Sequence, residues 1–476
     1  MLDSKNQTHM KVLKNIFAIL FIIGMSSCGE DFLDIDPQDA LPPDNLQTVD
    51  DLATLLQGAY DQLQDTDWYG RYFVLAPDIM SDDVKQNSQA NRGKDWAEYN
   101  GSVNDIHAIP ENTWTEIYEG INRTNTIINA EIDVPPAVQD DYNQIVGEAH
   151  ALRALAHFDL VRFYAQHYGF TADNSHPGVP VVTTFDQTAL PGRNTVAQVY
   201  DAVISDLNQA ITLMNSDEGR GRFSQEAAQA LLARVSLYQS DWAKAEAEAT
   251  KVIDSGIASL TPTNDYVAQW SGIDFSPDAL FDVVNTAQDN FGSEALSGMY
   301  VVEGYGDYLP AQDVVSLIDP ADVRIQLFRE DPDLVDPFGP IRVAKYPNPQ
   351  GFDNRPVIRL AEVYLIRAEA RARQGNSAGA IEDLMTIRRR AWPDAPDVNL
   401  EGDALLDEIA KEKRIELMFE GHRLWELMRH QQGVFRQDCT APTGACEIPY
   451  PDNRFILPIP IQELNVNPNI EQNPGY

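Results

Sequence analysis

Residues 230–245 read Ala230-Leu-Leu-Ala233-Arg-Val-Ser-Leu-Tyr-Gln-Ser-Asp-Trp-Ala-Lys-Ala245, and residues 362–380 read Glu362-Val-Tyr-Leu-Ile-Arg-Ala368-Glu-Ala-Arg-Ala-Arg-Gln-Gly-Asn-Ser-Ala-Gly-Ala380. In each stretch two alanines stand 12 apart, Ala233 with Ala245 and Ala368 with Ala380. Apolar residues recur at three- and four-residue spacing on both sides of a short polar break, Gln239–Asp241 in one and Gly375–Asn376 in the other. The pattern predicts two antiparallel helices per stretch, with small side chains where the helices come closest. Flanking Leu, Tyr and Val positions agree between the two stretches, as a repeat requires.

That arrangement resembles the tetratricopeptide repeat, and two such pairs do not make a stable stack, so further, degenerate pairs are expected. Working outward, helical spacing also marks 52–64, 114–131, 142–165, 196–214, 404–419 and 422–430, while the quoted stretches extend to 224–239, 242–255, 358–374 and 377–391. Helix 142–165 pairs with Val199–Leu213 across an insertion, 166–195, that holds Pro177, Pro180, Pro191 and Gly192. Long tracts at 66–112, 256–357 and 432–476 lack the period and are expected to be irregular; the last is rich in Pro and Asn. The fold class is therefore mostly α, a helical-pair scaffold interleaved with an irregular lobe.

The first residues are an address. Lys11 and Lys14 precede the apolar run Ile16–Ile23, followed by Gly24-Met-Ser-Ser-Cys28. A positive stretch, a short apolar run and small residues make a secretory signal over residues 1–27. The run is shorter than the about 20 apolar residues that cross a bilayer. Small residues leading to Cys28 resemble a bacterial lipobox, which makes Cys28 the lipidated first residue of a single domain, 28–476. The acidic residues Glu30, Asp31, Asp34 and Asp36 resemble the export signals of lipoproteins bound for the outer face of the outer membrane. The remaining cysteines, Cys439 and Cys446, flank a Pro/Gly turn and are disulfide candidates outside the cytoplasm.

Composition excludes several functions. The chain has 35 Lys+Arg against 73 Asp+Glu and a net charge of −38. Loss of residues 1–27 removes three lysines and one aspartate and leaves −40. Such a surface repels nucleic-acid phosphates and anionic headgroups. Disorder is excluded by 43% hydrophobic and 9% aromatic residues, which supply a core. No His-Glu-x-x-His, Gly-x-Ser-x-Gly or phosphate-binding Gly-rich motif is present, so no catalytic residue, metal site or cofactor is expected.

Motifs in fixed order carry a resemblance. Cys28 is followed by Asp31-Phe-Leu-Asp34; then come Trp114-Thr-Glu-Ile-Tyr-Glu-Gly-Ile-Asn122-Arg123-Thr-Asn125 and Gly147-Glu-Ala-His-Ala-Leu-Arg-Ala-Leu-Ala-His-Phe158. Further on stand Ala361-Glu-Val-Tyr-Leu-Ile-Arg-Ala-Glu-Ala370, Glu412-Lys-Arg-Ile-Glu-Leu-Met-Phe-Glu-Gly-His-Arg423 and Pro468-Asn-Ile-Glu-Gln-Asn-Pro-Gly-Tyr476. Across essentially the whole mature chain these resemble the RagB/SusD-like nutrient-binding outer-membrane lipoproteins. The resemblance implies about four tetratricopeptide-like pairs with a loop-rich ligand-binding lobe. It also implies a non-catalytic role in capturing oligosaccharides, or in some members peptides, at the cell surface for a SusC-like TonB-dependent β-barrel transporter.

The charged residues Glu412, Arg414, Glu416, Glu420, Arg423, Glu426 and Arg429 recur at helical spacing and are expected to form structural ion pairs. Glycan binding instead calls for flat aromatics against C–H faces and for polar groups at hydroxyls. Trp114, Trp242 and Trp425 lie in helical patterns and are expected in the core. In the irregular tracts, Trp96 with Tyr99 and Asn100 is the leading candidate, followed by Trp68, Tyr69 and Arg71 in an aromatic-dense, exposed-looking turn, and by Trp270, Phe291 and Tyr300 in the middle tract. The negative charge disfavours acidic glycans, so a neutral oligosaccharide is the expected ligand.

Overall fold

The computed structural model of the protein describes residues 46–89, 101–186, 188–216, 219–271, 273–336, 339–439 and 445–476. In chain order its elements are α1 (Val49–Gln62), α2 (Tyr72–Met80), β1 (Val84–Gln86), α3 (Ala108–Ile128), α4 (Gln139–Tyr164), α5 (Val196–Leu213), α6 (Gln225–Tyr238) and α7 (Trp242–Ser255). There follow β2 (Ala279–Val283), α8 (Leu296–Tyr300), β3 (Tyr308–Pro310), α9 (Gln312–Val315), β4 (Phe328–Glu330), β5 (Ile341–Val343) and β6 (Arg355–Arg359). The chain ends with α10 (Leu360–Arg373), α11 (Ser377–Ala391), α12 (Gly402–Glu416), α13 (Arg423–Arg429), β7 (Val434–Phe435), β8 (Glu447–Ile448) and α14 (Ile461–Val466). Residues 48–476 form one compact unit. Among the described residues no helix is long and apolar enough to cross a membrane.

The helices pack in a running series: α3 on α4, α4 on α5, α5 on α6, α6 on α7, α7 on α10, and α10 on both α11 and α12. The hairpins read from the alanine spacing are thus α6–α7 and α10–α11, and the third, α4–α5, spans the Pro-rich insertion. Ala233, Ala245, Ala368 and Ala380 are all fully buried, and the last two pack with Leu384, Leu405 and Ile409. Short polar side chains close the turns. Asp241 accepts from the Lys244 amide and Asn376 from the Gly379 amide, each satisfying an otherwise orphaned helix donor. The residues 256–359 leave the scaffold after α7 and return at α10, and α10 then packs on α7 as if the two hairpins were consecutive.

The irregular tracts hold more order than their spacing predicts. Helix α2 lies inside tract 66–112; its sequence Tyr-Phe-Val-Leu-Ala-Pro-Asp-Ile-Met is apolar on every face and carries Pro77, so no 3.6 period shows, and all nine residues are buried. Its neighbour is the turn before α13, where Gly421 has φ +77 and a Cβ would stand 2.9 Å from the Val74 backbone, so only glycine fits. Among the described residues four two-stranded antiparallel sheets, β1–β3, β2–β6, β4–β5 and β7–β8, brace the lobe and C-terminal tract. Cys439 and Cys446 are joined by a disulfide. Of the core tryptophans, Trp114 and Trp425 are buried, whereas Trp242 is half-buried beneath the Arg373 guanidinium, 5.4 Å from its ring centre.

The helical charges form a buried network. Arg359, the last residue of β6, donates to Glu420 at 2.8 and 2.6 Å, to Asp278 at 2.9 Å and to Glu416 at 3.0 Å. Glu416 also meets Arg390 at 2.6 Å and Arg324 at 3.2 Å, and Lys345 holds Glu420 at 2.6 Å. Arg414 and Arg423 reach Asp83 and Asp82, beside β1, at 2.7 Å each. Opposite charges overcome the desolvation of the carboxylates: Glu420, against Arg359 and Lys345, is held at about 2, as is Glu369, against Arg429 and Lys413. Both folded values lie below the ordinary 4.5, so this stabilisation is complete above pH 4.5 and is lost as pH falls toward 2. Thermal melts should therefore show Tm falling steeply between pH 4.5 and 2, with the slope reduced in Glu420→Gln; a flat Tm over that window would contradict the network's role.

Candidate functional site

Three tracts meet on the lobe. Strand β1 pairs with β3 in the register Val84↔Pro310, Lys85↔Leu309 and Gln86↔Tyr308. The pairing continues where the Asn87 amide donates to the Asp307 carbonyl at 2.8 Å and its side chain to the Gly306 carbonyl at 2.9 Å. The Gln89 side chain then accepts from the Val335 amide at 3.0 Å, and Lys85 bridges Asp336 at 3.1 Å and Asp438 at 2.7 Å. Trp96, Tyr99 and Asn100 lie outside the described residues, as does Cys28.

The Trp68-Tyr69-Gly-Arg71 turn faces inward rather than outward, which corrects its expected exposure. The Trp68 indole N–H donates to Asp159 Oδ2 at 2.9 Å and the Tyr69 hydroxyl to Asp159 Oδ1 at 3.4 Å. A Cβ on Gly120 would stand 2.9 Å from the Trp68 ring, so the glycine in α3 exists to let that ring in. Arg162 holds Asp159 at 2.6 Å and lies over the Phe158 ring at 4.3 Å. A buried carboxylate needs these donors, and Trp68 and Tyr69 supply them. Arg71 is buried as well, but its guanidinium reaches the lobe, donating to the Glu294 carbonyl at 3.0 Å and its carboxylate at 2.9 Å. Glu294 also accepts from the Tyr305 hydroxyl at 2.6 Å, and the Leu296 amide donates to the Gly70 carbonyl at 3.1 Å. Two of the nominated tracts, 68–71 and 291–300, are thus brought together by hydrogen bonds.

Trp270 and Tyr300 are also interior, at 5% and 0% exposure. The Trp270 ring carries Lys345 Nζ at 4.1 Å and Arg359 at 5.2 Å and meets Tyr346 edge-on at 6.0 Å. Tyr300 stacks on Tyr346 at 6.5 Å and leans on Phe419 at 5.9 Å. Trp270 thus packs against buried cations and Tyr300 against other rings, so both are interior rather than displayed.

Phe291 differs, at 40% exposure. It ends the exposed turn Thr286-Ala-Gln-Asp-Asn-Phe291, closed by the Thr286 amide on the Asp289 carbonyl at 2.9 Å and by the Asn290 side chain on the Thr286 carbonyl at 2.7 Å. The turn sets one aromatic beside Gln288, Asp289 and Asn290, followed by the Glu294–Arg71–Tyr305 cluster that anchors it. An aromatic face flanked by amide and carboxylate groups suits a polyhydroxylated ligand. Near the Trp68 turn, burial and the neighbouring Asp65, Glu119 and Asp67 push Glu116 up to about 7. Glu294, Tyr305 and Glu116 went unread in the sequence because each takes its meaning from partners distant along the chain.

Other charged groupings are structural. Glu369, Glu426 and His430 are the one trio among the described residues with ligand atoms close enough to share a metal ion. Arg429 and Lys413 already pair with both carboxylates and oppose a further cation. His157 is buried, accepts from the Val182 amide at 3.1 Å and is pushed down to about 4 by burial, so it stays neutral as a core residue.

Comparison with known proteins places this architecture. Residues 31–237 match a family model described as starch-binding, associating with the outer membrane, and residues 344–476 match that of the SusD family. A SusD-like protein of Formosa agariphila is 26% identical over 541 residues, covering 98% of this chain and all of the relative. The starch-binding protein SusD of Bacteroides thetaiotaomicron is 34% identical over 144 residues, 29% of this chain and 23% of that protein. A SusD superfamily structure from Bacteroides thetaiotaomicron superposes with a TM-score of 0.82 at 28% identity, covering 90% of this chain and 100% of the other. A structure of a putative sugar-binding protein from Bacteroides vulgatus gives 0.81 at 29% identity over 90% of this chain and 99% of that one.

Display and packing separate by mutation. Trp270→Ala should cost about 3–5 kcal/mol in urea denaturation, as expected for truncating a buried aromatic. Phe291→Ala should change stability by less than about 0.5 kcal/mol, as at ordinary surface positions.

Proposed function

The chain belongs to the SusD family, whose members are non-catalytic binding proteins of the outer membrane, and on that premise we propose that it captures oligosaccharides at the cell surface and passes them to a SusC-like TonB-dependent transporter. The observation that carries the reading is the exposed Thr286–Phe291 turn, an aromatic face among hydroxyl-binding groups, held in place through Glu294 by Arg71 and Tyr305. Trp96, Tyr99 and Asn100 belong to the same proposal on their sequence alone, an aromatic pair beside a hydrogen-bonding amide. Relatives named as starch-binding and sugar-binding proteins support the ligand class.

Cys28 supplies the anchor in this account, with residues 1–27 removed and a lipid on the cysteine holding the single domain 28–476 on the outer face of the outer membrane. The acidic stretch after Cys28 serves as export signal and tether. A mature charge of −40 favours a neutral glycan over an acidic one, since like charge opposes close approach.

Affinity electrophoresis through gels containing a panel of polysaccharides tests the reading, with isothermal titration on the oligosaccharide released from any polymer that retards the protein. Retardation by at least one neutral polymer is expected, and Trp96→Ala should weaken that binding by about 1–3 kcal/mol. Saturable binding of peptides with no retardation by any glycan would contradict it.

A further inference from the structure

A second concave surface is lined by residues other than those assigned above. The C-terminal end of α1, the turn Gly219–Arg222 and strand β2 enclose a cleft of about 380 Å³, lined by Tyr60, Asp61, Gln64, Arg220, Phe275 and Asp282 among others. That volume falls in the roughly 300–1,000 Å³ range of small-ligand sites. Tyr60 is buried and hydrogen-bonded to Glu148 at 2.5 Å, which makes a rigid floor. Phe275, by contrast, is 39% exposed.

The polar lining is unevenly satisfied. Arg222 pairs with Glu148 at 2.8 and 2.9 Å, and Arg220 donates to the carbonyls of Ala279 and Ile257 at 3.1 and 3.3 Å. Gln64 donates to the Val284 carbonyl at 2.5 Å, which leaves its amide oxygen as an acceptor. Asp282 stands out: it is 97% buried, yet its Oδ1 has no hydrogen-bond partner. Burial and the neighbouring Asp278 push it up to about 8, so at neutral pH it is a protonated acid with a hydrogen to donate. A buried polar atom left unpaired is rare in folded proteins, and Asp282 borders both this cleft and the smaller cavity beside Trp270 and Tyr346.

We infer that this cleft is a second carbohydrate subsite, in which Phe275 stacks on the C–H face of a sugar ring while Gln64 and Arg220 meet its hydroxyls. The inference rests on the glycan-binding reading given above but assigns different residues. An aromatic face beside an amide and a guanidinium offers a sugar ring a stacking surface together with an acceptor and donors for its hydroxyls.

Isothermal titration with a short neutral oligosaccharide that retards the wild-type protein tests it. Wild type should bind two molecules per chain. Phe275→Ala should lose one of them, the affecting step being a roughly tenfold or greater weakening at that subsite. Phe275→Trp should restore the stoichiometry, and its added indole emission should shift saturably with ligand. Wild-type and Phe275→Ala isotherms that superimpose, with no emission change in Phe275→Trp, would overturn the second subsite. A wild-type protein that binds no glycan at all would instead overturn the functional reading itself, so the two failures are distinguishable.

Discussion

One buried guanidinium connects the parts of this protein. Arg359 ends β6 and immediately precedes α10, so it stands where the lobe rejoins the helical scaffold. Its five N–H donors serve Asp278 just before β2, Glu416 at the end of α12 and Glu420 in the turn before α13. Planar, permanently charged and forked, arginine suits such a three-carboxylate node as lysine does not. The cost of burying these charges is large, and it is offset only because nearly every lone pair finds a donor. Removing one partner would leave the others stranded in the interior.

This node dictates which aromatics are available for function. Trp270 lies against Arg359 and Lys345, and Tyr346 and Tyr300 continue the packed row toward Phe419. Trp68 and Tyr69 are held instead by hydrogen bonds to Asp159, which pairs in turn with Arg162. The loop lobe therefore has a core of its own, built from rings and cations, and only some of its aromatics reach the surface. Phe291 and Phe275 stand at opposite ends of one chain segment that flanks β2, and both keep an exposed face. The proposed binding chemistry depends on that division between rings consumed by packing and rings left on display.

The scaffold was legible in the sequence because its cause is local. Alanines 12 apart with helical apolar spacing led to the α6–α7 and α10–α11 hairpins, and the α4–α5 pair was placed across its insertion. The charges at Glu412–Arg429 were read as ion pairs from spacing, and they form them. Helix α2 escaped because a helix buried on every side has no polar face to mark its period. The Trp68–Arg71 turn reads as exposed yet is buried for a related reason: a non-helical tract says nothing about burial, and Asp159, the partner of Trp68 and Tyr69, lies far away along the chain. Phe275 and Asp282 had no sequence signal, since the cleft they line is assembled from three separated segments.

Hydrogen–deuterium exchange on Arg359→Lys tests the central role of the buried node most directly. The lysine keeps the charge and loses the fork. The expected result is faster exchange in β2, β6 and the C-terminal turn of α12, which the guanidinium ties together, with unchanged protection in the α4–α5 hairpin. Protection in β2 and β6 identical to wild type would contradict the account, because the lobe would then be held in place without the interaction on which its geometry is argued to depend.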